Sequence, residues 1–123
     1  MTYISKRDDT KERSYKFSLQ VIALVDGMSK DLASQTMARQ VIRSSTSIGA
    51  NIVEAQASPT RKDFSLFLHH ALKSANETAY WLKLIRDSNK VPADQGNVLI
   101  SECEQIARIL GASLVTIKSR GFE

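Results

Sequence analysis

A chain of 123 residues, 42% hydrophobic and 24% charged, has the composition of one globular domain and excludes a disordered or fibrous protein. Five glycines and two prolines favour long helices over an all-β design, and the single cysteine, Cys103, excludes an intramolecular disulfide. A net charge of +4 and a pI near 9.4 are compatible with nucleic acid without requiring it, because the basic residues are spread through the chain.

Residues 1–12 are polar and of mixed charge and read as a mobile arm ahead of a domain over 13–119. No apolar segment follows them, as a secretory signal requires. The longest apolar run, Val21 to Val25, is far shorter than the roughly 20 residues of a membrane span. The expected compartment is the cytoplasm of a bacterium, with no membrane partner.

The first helix is expected over about residues 12–33. Phe17, Val21, Leu24, Val25, Met28 and Leu32 fall at spacings of three and four, a single apolar stripe. Ser34 or Thr36 is positioned to cap the next helix. That second helix spans about 35–56. At about 100° per residue, Met37, Val41, Ser45, Ile48 and Ile52 share one face, with Ile42, Gly49 and Val53 beside it. The arc is wider than one neighbour needs. The small residues Ser44, Ser45, Thr46, Ser47, Gly49 and Ala50 at its centre let another backbone approach closely.

Pro59 ends the second helix. Thr60 caps the third, with Asp63 in the box position. The third helix runs over about 61–88, its core face Phe64, Phe67, Leu68, Ala71, Ala75, Thr78, Leu82 and Ile85. Leu66, Tyr80 and Leu84 project nearly opposite, a second apolar line that suggests a subunit contact. The fourth helix covers about 95–118 with Leu99, Cys103, Ile106, Ala107, Leu110, Leu114 and Ile117 inward. Gly111 and Ala112 make a thin spot in it. Four such helices joined by short loops predict an all-α, antiparallel, up-down-up-down four-helix bundle.

Tests for chemistry point away from an enzyme. A di-metal bundle needs Glu-x-x-His pairs, but Glu54, Glu77 and Glu102 are followed three residues on by Ala57, Tyr80 and Gln105. His69 and His70 are adjacent and diverge by about 100° on a helix, so they do not chelate one ion as an i, i+4 pair does. Cys103 sits on a core face with no thiolate-stabilising neighbour. The mid-helix serines are better explained by packing than by nucleophilic catalysis. The reading assigns no catalytic residue, no metal and no cofactor.

The basic residues carry the remaining candidates. Arg39 and Arg43 are one turn apart on the polar side of the second helix. Arg61, Lys62 and Lys73 lie on or near the third. Together they are candidate phosphate contacts, binding RNA or DNA through the backbone with a steep salt dependence. The plainer alternative is a solvated face with internal ion pairs, such as Arg43 with Glu54.

The segment from Arg39 to Ala55 (RQVIRSSTSIGANIVEA) is similar to the "QLRRAAxSIxxNIAEG" signature of the four-helix-bundle proteins encoded in intervening sequences of bacterial 23S ribosomal RNA genes. Arg61-Lys62-Asp63-Phe64, with Phe67-Leu68, Ala71, Ser74 and Glu77, resembles that family's "RxxFxxFLxxAxxSxxE". The match runs from about Tyr15 to Lys118. Ala55 stands where the family has a helix-ending glycine. The resemblance implies a ring-shaped homopentamer. It also implies kinship with the accessory proteins of diversity-generating retroelements, which bind nucleic acid and a reverse transcriptase. It carries over Asn51, Glu54, Arg61, Phe64 and Glu77. Asn51, Glu54 and Glu77 are expected as a polar set at helix contacts or a subunit seam, and Phe64 as an anchor.

Two functions follow. One is a non-enzymatic homo-oligomer that binds RNA or DNA through a basic surface. The other is an adaptor for a protein partner, with its charges solvated. Candidate subunit contacts are Ile42, Val53, Leu66, Tyr80 and Leu84.

Overall fold

The computed structural model describes residues 2–120, with side chains from Asp9 onward. It contains four helices: α1 (Thr2–Asp26), α2 (Leu32–Ala57), α3 (Arg61–Asp87) and α4 (Ala93–Ser119). No strand occurs among the described residues. Each helix packs on its neighbours in the chain, and α1 closes on α4. Among the described residues no diagonal pair of helices is in contact, so the arrangement is the expected antiparallel up-down-up-down bundle. The α2–α3 pair is the most extensive and α1–α4 the sparsest.

The limits of α1 differ from the expectation at both ends. Its backbone is helical from Thr2, where an arm over residues 1–12 was expected; Met1 lies outside the described residues. The apolar stripe fades before Phe17, but the face continues in polar residues. Thr10 and Ser14 are buried seven and three residues before Phe17, and no glycine or proline interrupts the run. At the other end α1 stops at Asp26, and Gly27 and Met28 close it through bonds to Leu24 O and Val25 O. Leu32, placed on the core stripe by its spacing, is instead the first residue of α2 and is 81% exposed.

Asp31, rather than Ser34 or Thr36, caps α2: its carboxylate accepts from the Ser34 N–H at 2.9 Å. Thr60 caps α3 as expected, accepting from the Asp63 N–H at 3.1 Å. At the α3 C-terminus Asn89 takes φ 61°. Lys90 N–H then reaches Ile85 O and Asn89 N–H reaches Arg86 O, satisfying two carbonyls that the helix leaves open.

The core is one cluster. Phe17, Val21, Met37, Val41, Ile48, Ile52, Leu82, Ile85, Ile106 and Leu110 are among its fully enclosed or nearly enclosed members. The small residues of α2 divide between two neighbours. On one side Ser44 and Ser47 meet α3, where Thr78 Oγ1 donates to Ser44 Oγ at 2.8 Å and Ser74 Oγ to Ser47 Oγ at 3.1 Å. On the other, Ser18 Oγ donates to Ser45 O at 3.4 Å, and a side chain on Gly49 would begin 3.3 Å from Ser14 Oγ. No described buried side-chain N or O lacks a hydrogen-bond partner, so this polar seam is fully satisfied.

Candidate functional site

The five candidate phosphate contacts are all exposed, and all lie on the α2–α3 half of the bundle. Helical rise separates them. The helices are antiparallel, so Arg61 and Lys62 lie at one end, Lys73 about 17 Å along α3, and Arg43 and Arg39 on α2 beyond it. They form an interrupted line rather than a patch.

Arg43 is a component of a cluster. Its guanidinium donates to Gln40 Oε1 at 3.0 Å and ion-pairs with Glu77 Oε2. Trp81 Nε1 donates to the same Glu77 oxygen at 2.9 Å. The Trp81 donor, then Arg43 and Lys73, hold the Glu77 carboxyl below its ordinary value. The partner of Arg43 is thus Glu77 of α3, not Glu54 of its own helix. At residue 54 the arginine would have to reach three turns along α2, whereas the α2–α3 seam brings Glu77 directly opposite.

The remaining signature positions separate. Asn51 Nδ2 donates to Ser47 O at 2.8 Å and Ser47 Oγ at 3.0 Å, which continues the α2–α3 hydroxyl seam. Glu54 is exposed on α2. Phe64 is half-buried against the core at the start of α3.

Phe64 also lines a cleft of about 330 Å³ where the start of α1, the end of α2, the start of α3 and the end of α4 converge. Ile52, Leu68 and Leu110 give it an apolar floor, and Asp9, Thr10, Arg13, Gln56, Ser113 and Thr116 give it polar edges. It opens because α1 and α4 pack sparsely. Nothing lies within 4 Å of the position a Gly111 side chain would take. Above the cleft Arg13 fastens the two helices, donating to Glu102 at 2.6 and 2.8 Å and to Gln105 Oε1 at 2.7 Å.

The candidate subunit contacts fall on two faces. Ile42 and Val53 lie on α2 toward α1, whereas Leu66, Tyr80 and Leu84 lie on the outside of α3. The α3 line is broken between Leu66 and Tyr80 by exposed Lys73. Tyr15, Leu19 and Ile22 form a continuous exposed apolar stripe on α1, and Tyr15 is 67% exposed. These three residues join the α2 face that holds Ile42 and Val53. Their i, i+4, i+7 spacing was visible in the sequence, masked by the stronger core stripe beside it.

Cys103 is fully buried and donates to Ala75 O at 3.2 Å. Burial pushes its thiol up to about 12, with Glu104 adding to the effect. Among the described residues no three His, Cys, Asp or Glu side chains gather as a metal site. No helix among them is long and apolar enough to cross a membrane.

Residues 6–112 match the model of the 23S rRNA-intervening sequence protein family. No curated protein matches the chain. Among solved structures, the chain is similar to a protein of unknown function from the S23 ribosomal protein family of Bacteroides thetaiotaomicron. The two are 33% identical and superpose with a TM-score of 0.83, covering 89% of this chain and 97% of that one.

Proposed function

The chain belongs to the 23S rRNA-intervening sequence protein family, and from that premise we propose that it is a non-enzymatic homo-oligomer, a pentamer, that binds RNA or DNA through a basic surface. The observation that carries this reading is the outward placement of Arg39 and Lys73 on the α2–α3 half of the bundle. One subunit offers an interrupted line of cations. Five copies of a chain of charge +4 make a field of about +20, and repetition around a ring supplies the phosphate contacts that one chain lacks. The apolar stripe Tyr15, Leu19 and Ile22, beside Ile42 and Val53, supports the assembly, since a monomer leaves it facing water.

Light scattering on the purified protein, alone and with a labelled structured RNA or a duplex DNA at low and moderate salt, tests the proposal. The expected result is a mass of five chains that rises with nucleic acid and loses the rise as salt increases. A monomer, or a pentamer indifferent to both nucleic acids at low salt, overturns it.

A second reading is an adaptor for another protein, such as a reverse transcriptase-like partner in the cytoplasm. The Arg43–Glu77–Trp81 cluster favours it, because it uses internally one of the charges that nucleic acid binding needs. A pentamer that ignores nucleic acid selects this reading.

A further inference from the structure

We propose that the cleft at the α3 N-terminal end of the bundle takes a single nucleobase, with Arg61 at its mouth meeting the attached phosphate. The inference deepens the nucleic-acid reading above and rests on it. Three observations lead to it.

The first is size. A volume of about 330 Å³ lies at the lower end of small-molecule sites, roughly 300–1,000 Å³, which suits one base with its sugar and excludes a base pair.

The second is the division of the lining. A nucleobase has two apolar faces and an edge that carries both donors and acceptors. The floor here is Ile52, Phe64, Leu68 and Leu110, with an aromatic ring among them. Around it stand the Gln56 amide, which donates and accepts, the Asp9 carboxylate, which accepts, and the Thr10, Ser113 and Thr116 hydroxyls, which do either. A purely apolar guest would strip water from these groups without replacing its hydrogen bonds. An anionic acyl guest would meet Asp9. A base edge answers both kinds of group.

The third is the placement of charge. Arg61, Phe64 and Leu68 follow an i, i+3, i+7 spacing, so the exposed Arg61 stands on the face of α3 that lines the cleft, one turn nearer the helix start. A base seated against Phe64 therefore leaves its phosphate on the Arg61 side, with Lys62 adjacent. The base has two sources, a free mononucleotide or an unpaired nucleotide of an RNA, and the cleft chemistry is common to both.

The test uses the full chain labelled with ¹⁵N, the four ribonucleoside monophosphates, inorganic phosphate, and a short RNA in single-stranded and duplex form. The expected result is a shift of the Gln56 side-chain amide with mononucleotide and not with phosphate. Single-stranded RNA is expected to bind more tightly than duplex. Ser113→Leu, which fills the cleft, and Arg61→Gln, which leaves it open, each weaken the single strand at least tenfold, and Ser113→Leu leaves duplex binding unchanged. Far-ultraviolet spectra and melting curves establish that both variants fold, and Arg61→Gln serves if Ser113→Leu does not.

Folded variants that bind single-stranded RNA as well as the parent overturn the cleft proposal and leave the basic surface standing. Gln56 shifts with mononucleotide but no binding of either RNA remove the basic surface and keep the cleft as a free-nucleotide site. No Gln56 shift and no preference for the single strand overturn the proposal.

Discussion

Thr78 of α3 and Ser44 of α2 meet hydroxyl to hydroxyl at 2.8 Å, with both side chains wholly enclosed. Thr78 Oγ1 also lies 2.7 Å from Ser74 O of its own helix, so its single proton faces two acceptors. This pair sits in the middle of the most extensive helix interface. Thr78→Val keeps the shape and removes the donor, and its expected cost is about 1–2 kcal/mol. If the two hydroxyls act together, Ser44→Ala combined with Thr78→Val costs less than the separate losses combined, by roughly 0.5 kcal/mol or more. Urea denaturation of the four proteins measures the coupling. Strict additivity would show that each hydroxyl is satisfied by its own helix.

Two helical glycines are expected to answer alanine differently. At Gly111 of α4 a methyl group meets open space, so Gly111→Ala gains helix propensity alone and stabilises by about 0.5–1 kcal/mol. At Gly49 of α2 the same methyl begins 3.3 Å from Ser14 Oγ, which is itself held by a bond to Lys11 O. The gain in propensity is opposed there by crowding between α1 and α2. Gly111→Ala is expected to be the more stable of the two by on the order of 1 kcal/mol. Equal midpoints in denaturant would mean that α1 yields freely at Ser14.

The same residues show where the sequence was readable. Core positions on α2, α3 and α4 follow from spacing alone, because an apolar stripe of period 3.6 has one way to be buried. Pro59 and Thr60 mark a boundary by mechanisms that do not depend on the fold, and Thr60 caps α3 as its place predicts. The start of α1 was hidden because Thr10 and Ser14 are buried polar residues that no hydrophobic pattern registers. Leu32 misled for the opposite reason, as an apolar residue at the right spacing beyond a helix end. Of the site, the basic residues could be named but not sorted. That Arg43 faces Glu77 and Arg39 does not depends on the α2–α3 register, which is a tertiary fact. The cleft draws on four helices, and no local pattern announces it.

Asp31 gives the chain an acid-sensitive hinge between α1 and α2. The Ser29 hydroxyl first, then the Ser34 N–H and hydroxyl and Lys90, hold its carboxyl well below the usual carboxylate range. The native state therefore binds this proton less readily than the unfolded chain. Its stabilisation is complete above about pH 4, the unfolded value, and is lost as pH falls toward the lower native one. Asp31→Asn keeps an N-cap of equal rank and removes the titration. Between pH 7 and pH 3 the melting temperature of the parent is expected to fall further than that of Asp31→Asn. Parallel curves would place the acid sensitivity elsewhere.

Arg39 and Arg43 are one turn apart on the same helix, yet they are expected to contribute unequally to nucleic acid binding. Arg43 already faces the Glu77 carboxylate, so a phosphate must compete with a charge that stays in place. Arg39 is exposed on the same side. Arg39→Gln should therefore weaken RNA binding in low salt and reduce the slope of log affinity against log salt by about 0.7–0.9 for each phosphate that Arg39 neutralises. Arg43→Gln should leave that slope nearly unchanged. Glu77→Gln separates the causes: it removes the competing charge, and on this account it strengthens binding in the parent and not in Arg43→Gln. Equal slopes for Arg39→Gln and Arg43→Gln would show that the Glu77 ion pair yields to phosphate at no cost, and the cluster would then belong to the binding surface.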